Sequence, residues 1–315
     1  MRQEITQFEA RHVQEAASLF AASYQRERRV SPLLPRRALD DKEWIARVIS
    51  KSMSGAGAAL CSGGALQGFM LATGPFSWKG QRCALVQEFC HASVEDGARE
   101  IYQLLYTSVA GQLAAQGVAV HLIGHFYGDA VLKNTLFDLG FGAIVMEELR
   151  GLDVVPGAAE GVAREDDFSV IEELNAEHCR YYQESPIFIP KEMDRETFPM
   201  GANALFVHRD AGAPTAYCFV GPCLGEEDGR LLQGTNTAQL LCAYAKPESR
   251  CRGVGKALLN ASVLWAREGG FDRLYVEHES ANIQGGNFWR RHFAPYLAFS
   301  MRYIDPQGLR PPRAS

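Results

Sequence analysis

The residues best suited to chemistry lie in one stretch, YAKPESRCRGVGKALLN (244–260), where Gly253 and Gly255 interrupt a run of cations formed by Arg250, Arg252 and Lys256. An apolar segment, Thr237 to Tyr244, precedes it. From Gly253 onward, apolar residues recur at 254, 257, 258, 261, 264 and 265, the spacing of one helical face. A strand that runs out at Ala245, turns through Pro247 and enters a helix leaves unpaired amides at the helix start, where the macrodipole adds positive potential. Glycines let a ligand approach such a backbone closely. The chemistry such a junction offers is the grip of a diphosphate, with Arg250, Arg252 and Lys256 adding charge; the same residues also suit an ordinary strand-to-helix turn with solvated basic side chains.

The rest of the chain must supply the elements that hold this loop. Its 315 residues correspond to about two domains, and 47% hydrophobic with 22% charged residues is the balance of a globular protein. Acidic residues outnumber basic ones, 37 to 32, so no general attraction to nucleic acid or an anionic membrane is expected. The opening MRQEITQFEARH carries charge where a leader needs an apolar core, and no apolar run approaches the roughly 18–20 residues of a membrane span. Eight cysteines without a CxxC pair read as reduced thiols of a cytoplasmic protein. His121 and His125 lack a metal-site context, and no metal is expected.

A repeat organises the chain. GFGAIVMEELRGLD (140–153) aligns without a gap on HFAPYLAFSMRYID (292–305), and LQGFMLATGP (66–75) resembles PTAYCFVGP (214–222). Each half shows strand, loop, long amphipathic helix and strand in the same order. Two copies of one α+β unit are therefore expected, residues 1–153 and 167–305. Between them 154–166 is a linker, and 306–315, rich in proline, is a mobile tail.

Within the second copy, Phe168 to Tyr182 reads as a helix start and an aromatic-rich turn, and SPIFIPKE (185–192) as an ordered loop or lid, since Pro186 and Pro190 forbid a helix. Residues 204–222 read as a hairpin around Arg209–Pro214. Gly269 and Gly270 end the long helix. RLYVEH (273–278) is the next strand, Asn287 to Arg291 a short helix, and Tyr296 to Tyr303 the last strand.

Arg250-x-x-Gly253-x-Gly255 resembles the Arg/Gln-x-x-Gly-x-Gly/Ala signature of the GNAT superfamily of acetyl-CoA-dependent N-acyltransferases. The flanking strand and helix, the preceding hairpin, Asn282 and the segment from Phe288 to Phe293 are similar to that family in order and type. The resemblance covers most of 167–305 and, through the repeat, 1–153. It implies an α+β, three-layer fold: two tandem GNAT-like domains, each a mixed, mostly antiparallel sheet with helices on both faces and a splayed parallel strand pair. Two departures stand out. Trp289 occupies the place of the family's proton-donating tyrosine, and His292 replaces a glycine. Aligning Glu95 on Glu248 and Arg99 on Arg252 sets Glu100 and Tyr102 where the second copy has Gly253 and Gly255, so the first copy is expected to keep the fold and lose the cofactor site.

The resemblance further implies acetyl-CoA, or another acyl-CoA, lying between strands 237–245 and 273–277. Backbone groups near Cys242 and Tyr244 would hold the pantetheine and polarise the thioester, and the amides of Cys251 to Lys256, those of Arg252, Gly253, Val254 and Gly255 included, would hold the diphosphate. Asn282 would touch the pantetheine arm, and an amine would attack directly. An alkylamine with a pKa near 10.4 must shed a proton to attack, so a carboxylate or a water chain is needed. Glu279, beside Glu277, and Glu184 in the proline-bounded loop are the candidate bases, Tyr181, Tyr182 and Phe188 candidate acceptor walls, and Tyr296 a candidate acid. The acceptor is expected to be a small-molecule or peptide amine. Two other readings stand beside this enzyme: a non-catalytic acyl-CoA sensor and a tandem scaffold that recruits a protein partner.

Overall fold

The structure, a computed structural model, describes residues 3–190, 200–223, 231–232 and 234–305. The chain divides into two compact units, Met1–Met146 with Pro295–Ser315, and Glu147–Ala294. The expected tail, 306–315, and Lys191 and Glu192 of the expected lid lie outside the described residues.

The first unit begins with β1 (Gln3–Gln7), α1 (Val13–Val30), α2 (Arg37–Asp40) and α3 (Lys42–Lys51). There follow β2 (Gly57–Ser62), β3 (Ala65–Leu71), β4 (Phe76–Trp78), β5 (Gln81–Val86), β6 (His91–Ser93), α4 (Ala98–Ala115), β7 (Val120–Phe126) and α5 (Ala130–Asp138). Strand β8 (Gly142–Arg150) crosses the division between the units. The second unit contains β9 (Val162–Glu165), α6 (Glu172–Gln183), β10 (Ala204–Asp210), β11 (Ala213–Pro222), β12 (Thr237–Ala245), α7 (Val254–Glu268), β13 (Arg273–Glu279) and α8 (Ile283–His292). The last strand, β14 (Ala294–Tyr303), belongs almost wholly to the first unit, where it pairs antiparallel with β7, Leu297 opposite Phe126 and Tyr303 opposite Val120.

In the second unit the order β9-β10-β11-β12-β13 is antiparallel except for β12 and β13, which run parallel. Alternation along the strands assigns the two faces. Leu205, Val207, Tyr217, Phe219, Cys242 and Tyr244 pack with Phe168, Ile171 and Leu174 at the start of α6. Phe206, Cys218, Val220, Leu240 and Val276 pack on the other face with Val254, Leu258, Leu259 and Val263 of α7. Each fully buried aliphatic side chain contributes roughly 1.5–3 kcal/mol relative to exposure. That gives the three layers expected, helix, sheet and helix.

The face that α7 buries differs from the expected stripe. Leu264 is 48% exposed, whereas Leu259, Ser262, Val263 and Ala266 are buried. Apolar residues ring so much of this helix that periodicity leaves its rotation open, and packing on the sheet fixes it. Helix α6 runs to Gln183, so Tyr181 and Tyr182 are helical residues and no turn. Helix α8 is longer than expected, reaching back to Ile283 because the Asn282 side chain caps it, accepting from Gly285 N. Residues 154–166 include β9, and the backbone N–H and C=O of Val155 bond the side-chain amide of Asn260 on α7 at 2.7 and 2.9 Å.

The first unit repeats this plan with one change. Where the second unit has the continuous strand β12, the first has β5 and β6, separated by a turn closed by Cys90 N donating to Gln87 O. Its strands fall into an antiparallel group β1-β2-β3-β6 and a group β4-β5-β7-β14, with β5 and β7 parallel, where one mixed sheet was expected.

Candidate active site

Two strands of the second unit open a cleft. The parallel ladder between β12 and β13 ends at Leu240 and Val276. Beyond it β12 continues to Ala245 and β13 to Glu279 with no rungs between them. On its other edge β12 stays paired with β11, and the register slips there, with Phe219 opposite Cys242 and Val220 opposite Leu240. That slip is a bulge at Leu241, which bends the strand away from its parallel neighbour. The backbone of residues 241–245 therefore has one edge free of the sheet, next to Cys242 and Tyr244.

The glycine loop closes one end of this cleft. Cys251 and Gly253 both have left-handed backbones, φ 58° and 84°, on either side of Arg252. Such alternation turns successive amides toward one point. The first helical bond of α7 is Ala257 N to Gly253 O, which leaves the amides of Val254, Gly255 and Lys256 outside the helix's own bonding. Gly253, the N-cap, carries no side chain to satisfy them. A Cβ on Gly253 would come 2.9 Å from Gly157 O, and one on Gly255 would come 3.0 Å from the Phe288 ring, so both positions need glycine for packing too. Lys256 Nζ donates to Pro156 O at 3.2 Å. These donors and their charge fit a diphosphate.

The opposite wall is aromatic and carboxylate-rich. Tyr181 OH donates to Asn282 Oδ1 at 2.9 Å, so the oxygen of Asn282 is held by Tyr181 and by Gly285 N. Tyr182, buried, donates to Glu279 and accepts from the Asn282 amide; burial first, then Glu279, pushes its hydroxyl far above the usual tyrosine range and keeps it neutral. Glu184 ends α6 close to Tyr181, and its carbonyl accepts from Ile187 N and Phe188 N. Glu277 accepts from Tyr275 OH at 2.9 Å. Glu279, Glu184, Asn282, Cys242 and Tyr244 are thus brought together around two tyrosines. Tyr296 is not: it lies on β14 in the first unit, buried, its carbonyl accepting from Tyr127 N. The ring of Trp289 packs edge-on against Phe288 and Phe293, a core role.

Several residues of this site escape a reading of the sequence. His178 is buried, stacks on Tyr244, meets Tyr182 edge-on and places Nδ1 2.9 Å from Tyr217 OH, which donates to Asn175 Oδ1 at 3.1 Å. Glu177 Oε2 accepts from Tyr244 OH at 3.4 Å while Oε1 pairs with Lys246 at 3.3 Å. Burial, then Glu177, raises the Tyr244 hydroxyl. The spacing of Glu177, His178, Tyr181 and Tyr182 on one helix was the available signal, but only the fold brings Tyr217 and Lys246 to it.

The first unit corrects the expected loop alignment. Gly97, φ 69°, caps α4 as Gly253 caps α7, so Gly97 is the structural counterpart of Gly253. Arg99, not Tyr102, then stands at the place of Gly255, and Glu100 stands at that of Lys256, not of Gly253. Tyr102 faces inward, 3.3 Å from His91 Nδ1. The connecting loop, 94–97, is half as long as its counterpart, 246–253. His91 Nε2 also lies 2.8 Å from Gly124 O, joining β6 to β7 where β12 and β13 stand apart.

Residues 164–293 match the acetyltransferase (GNAT) family. This segment is a GNAT-family domain. Its fold supports N-acyltransferase chemistry in general. Among solved structures, a GCN5-related N-acetyltransferase from Sphaerobacter thermophilus is 12% identical over 98% of this chain and 96% of its own, with a TM-score of 0.56. A GCN5-related glucosamine N-acetyltransferase region of a fungal multi-domain β-N-acetylglucosaminidase is 11% identical over 96% of this chain and 38% of that one, with a TM-score of 0.55. At such identities the likeness is one of fold, and it runs through both units. No curated protein matches the sequence. Among the described residues no helix is long and apolar enough to cross a membrane, and no group of three His, Cys, Asp or Glu side chains could hold a metal ion.

Proposed function

We propose that the GNAT domain transfers an acetyl group from acetyl-CoA to an amine by direct attack, and that this is the only cofactor site of the chain. The observation that carries the reading is the parting of β12 and β13 after Leu240 and Val276, next to a capless helix start with two left-handed residues. Bound acetyl-CoA would supply a thioester carbonyl open to attack and a thiolate that leaves without a strong acid, since an ordinary thiol has a pKa near 8.5. The amides of Cys251 to Lys256 hold the diphosphate, and the free edge of β12 near Cys242 and Tyr244 holds the pantetheine and polarises the carbonyl. Asn282 orients Tyr181 and Tyr182 at the head of α8. Glu279, fixed by Tyr182, accepts the proton that the attacking amine must lose; Glu184 is the second candidate. His178, wedged between Tyr182 and Tyr244, keeps both rings in place.

The shorter loop, Arg99 and Glu100 at its helix start, and the His91 bridge across β6 and β7 support a first copy that serves structure without binding cofactor. By the repeat, the copies are residues 1–153 and 167–305. The acceptor is a small-molecule or peptide amine. Mixing the protein with acetyl-CoA and a panel of amines and following thiol release tests the reading; release with an amine and not without one is expected. Tight CoA binding with no release across a broad panel would favour a sensor instead.

A further inference from the structure

One side chain of the glycine loop does something other than face a diphosphate. Arg250 Nε donates to Ala245 O, the last residue of β12, at 2.9 Å. Its Nη1 donates to Gln284 Oε1 in the first turn of α8. Between these two anchors the guanidinium lies over the rings of Tyr181 and Tyr244, 5.3 and 5.8 Å from their centres. Ala245 ends one wall of the cleft, and α8 follows directly from the other wall, β13. Arg250 therefore spans the opening from wall to wall. Tyr181, on α6, donates to Asn282 at the head of α8 at 2.9 Å.

We propose that Arg250 is a latch across the mouth of the acyl-CoA cleft, kept shut by Gln284 and released when an anionic diphosphate takes the guanidinium. The proposal rests on the second unit being the cofactor site. The exchange is favourable in chemistry. Gln284 offers a neutral amide oxygen in an exposed position, whereas a diphosphate offers charged oxygens that form shorter and roughly twice stronger bonds. Release uncovers the faces of Tyr181 and Tyr244, the walls expected to meet the acceptor, so cofactor entry prepares the acceptor pocket. Gln284 meets the glycine loop through Arg250, as a positioning residue.

If only the unlatched fraction accepts ligand, apparent association scales with that fraction. The test is stopped-flow association of CoA with the full-length protein and with Gln284→Ala and Gln284→Met, which delete the keeper and leave the loop intact. Loss of one exposed charge-to-neutral hydrogen bond predicts association faster by about three- to tenfold in both variants, with dissociation unchanged within about twofold. Gln284 is exposed on the first turn of its helix, so both variants are expected to fold, and a thermal melt confirms it. Association that is unchanged or slower in both, with CoA still bound by the wild type, overturns the latch and leaves the cofactor site standing. A wild type that fails to bind CoA overturns both.

Discussion

His278 Nε2 lies 3.2 Å from Glu148 Oε1, inside the second unit and away from solvent. Its Nδ1 lies 3.1 Å from the carbonyl of Glu279. The first unit holds the same arrangement: His125 Nε2 is 3.1 Å from Ser300 Oγ, and its Nδ1 is 3.2 Å from Phe126 O. In the gapless repeat alignment Glu148 and Ser300 are equivalent. Each histidine is thus bonded by the last strand of the other copy. Strand β14 completes the first unit, whereas of β8 only Glu147–Arg150 lies in the second.

The contact between Glu148 and His278 makes a stability prediction. Glu148→Ala would leave His278 buried without its Nε2 partner, at a cost of about 1–3 kcal/mol. Glu148→Gln, which keeps an oxygen for the ring, should cost less. Urea unfolding of both variants measures the difference; equal losses would show that the contact contributes nothing of its own.

Much of this was legible in the sequence. The glycine loop, the strand before it and the helix after it announce themselves through Gly253, Gly255 and the apolar spacing, because local steric needs fix them. Asn282 was legible as a residue of the site, and its capping bond to Gly285 shows why the helix begins there. The destination of β14 was not, since Tyr296 to Tyr303 reads as a strand whichever sheet it joins. That is why Tyr296, a reasonable acid by sequence distance, lies outside the cluster. The loop of the first copy was misaligned by matching Arg99 to Arg252, when the left-handed glycine is the feature that backbone geometry preserves. The α6 residues His178 and Glu177 gain meaning only from Tyr217 and Lys246, which are remote in sequence.

The first unit should be acid-labile. Burial lowers His121 and His125 from the ordinary 6.5 to about 4, and both rings are almost wholly enclosed. Below pH 6.5 the unfolded chain takes protons that the folded one refuses, so stability falls between pH 6.5 and about 4 and levels off beneath. A His125→Gln variant should show a shallower decline in that window by denaturant unfolding. An unchanged slope would contradict the burial argument.

Glu27 has the opposite sign. Burial first, then Asp129, raises its carboxyl from 4.5 to about 7. Its contribution is full below pH 4.5 and is lost as pH rises through about 7. Glu27→Gln is therefore expected to raise Tm at pH 8, by the equivalent of up to about 3 kcal/mol, and to do nothing at pH 4. A gain of equal size at both values would rule out titration as its cause.

Glu279→Gln should lower kcat by a hundredfold or more, leaving CoA affinity within about threefold. Tyr182→Phe, which frees the carboxylate from its donor, should cost about tenfold. If Glu184→Gln instead produced the larger loss, the base would sit at the end of α6.

Gly253→Ala should weaken CoA binding at least tenfold, because φ 84° is costly for alanine and its Cβ would press on Gly157 and Ala159. Gly97→Ala, at the equivalent cap of the first unit, should leave CoA affinity unchanged. Calorimetric titration of the two variants side by side makes the comparison.

The central claim is that one domain of this chain, Glu147–Ala294, holds the cofactor and the other holds none. Isothermal titration of the full-length protein with CoA measures it most directly. One CoA per chain, abolished by Gly255→Glu, is the expected result. Two per chain, or binding that survives Gly255→Glu, would contradict it.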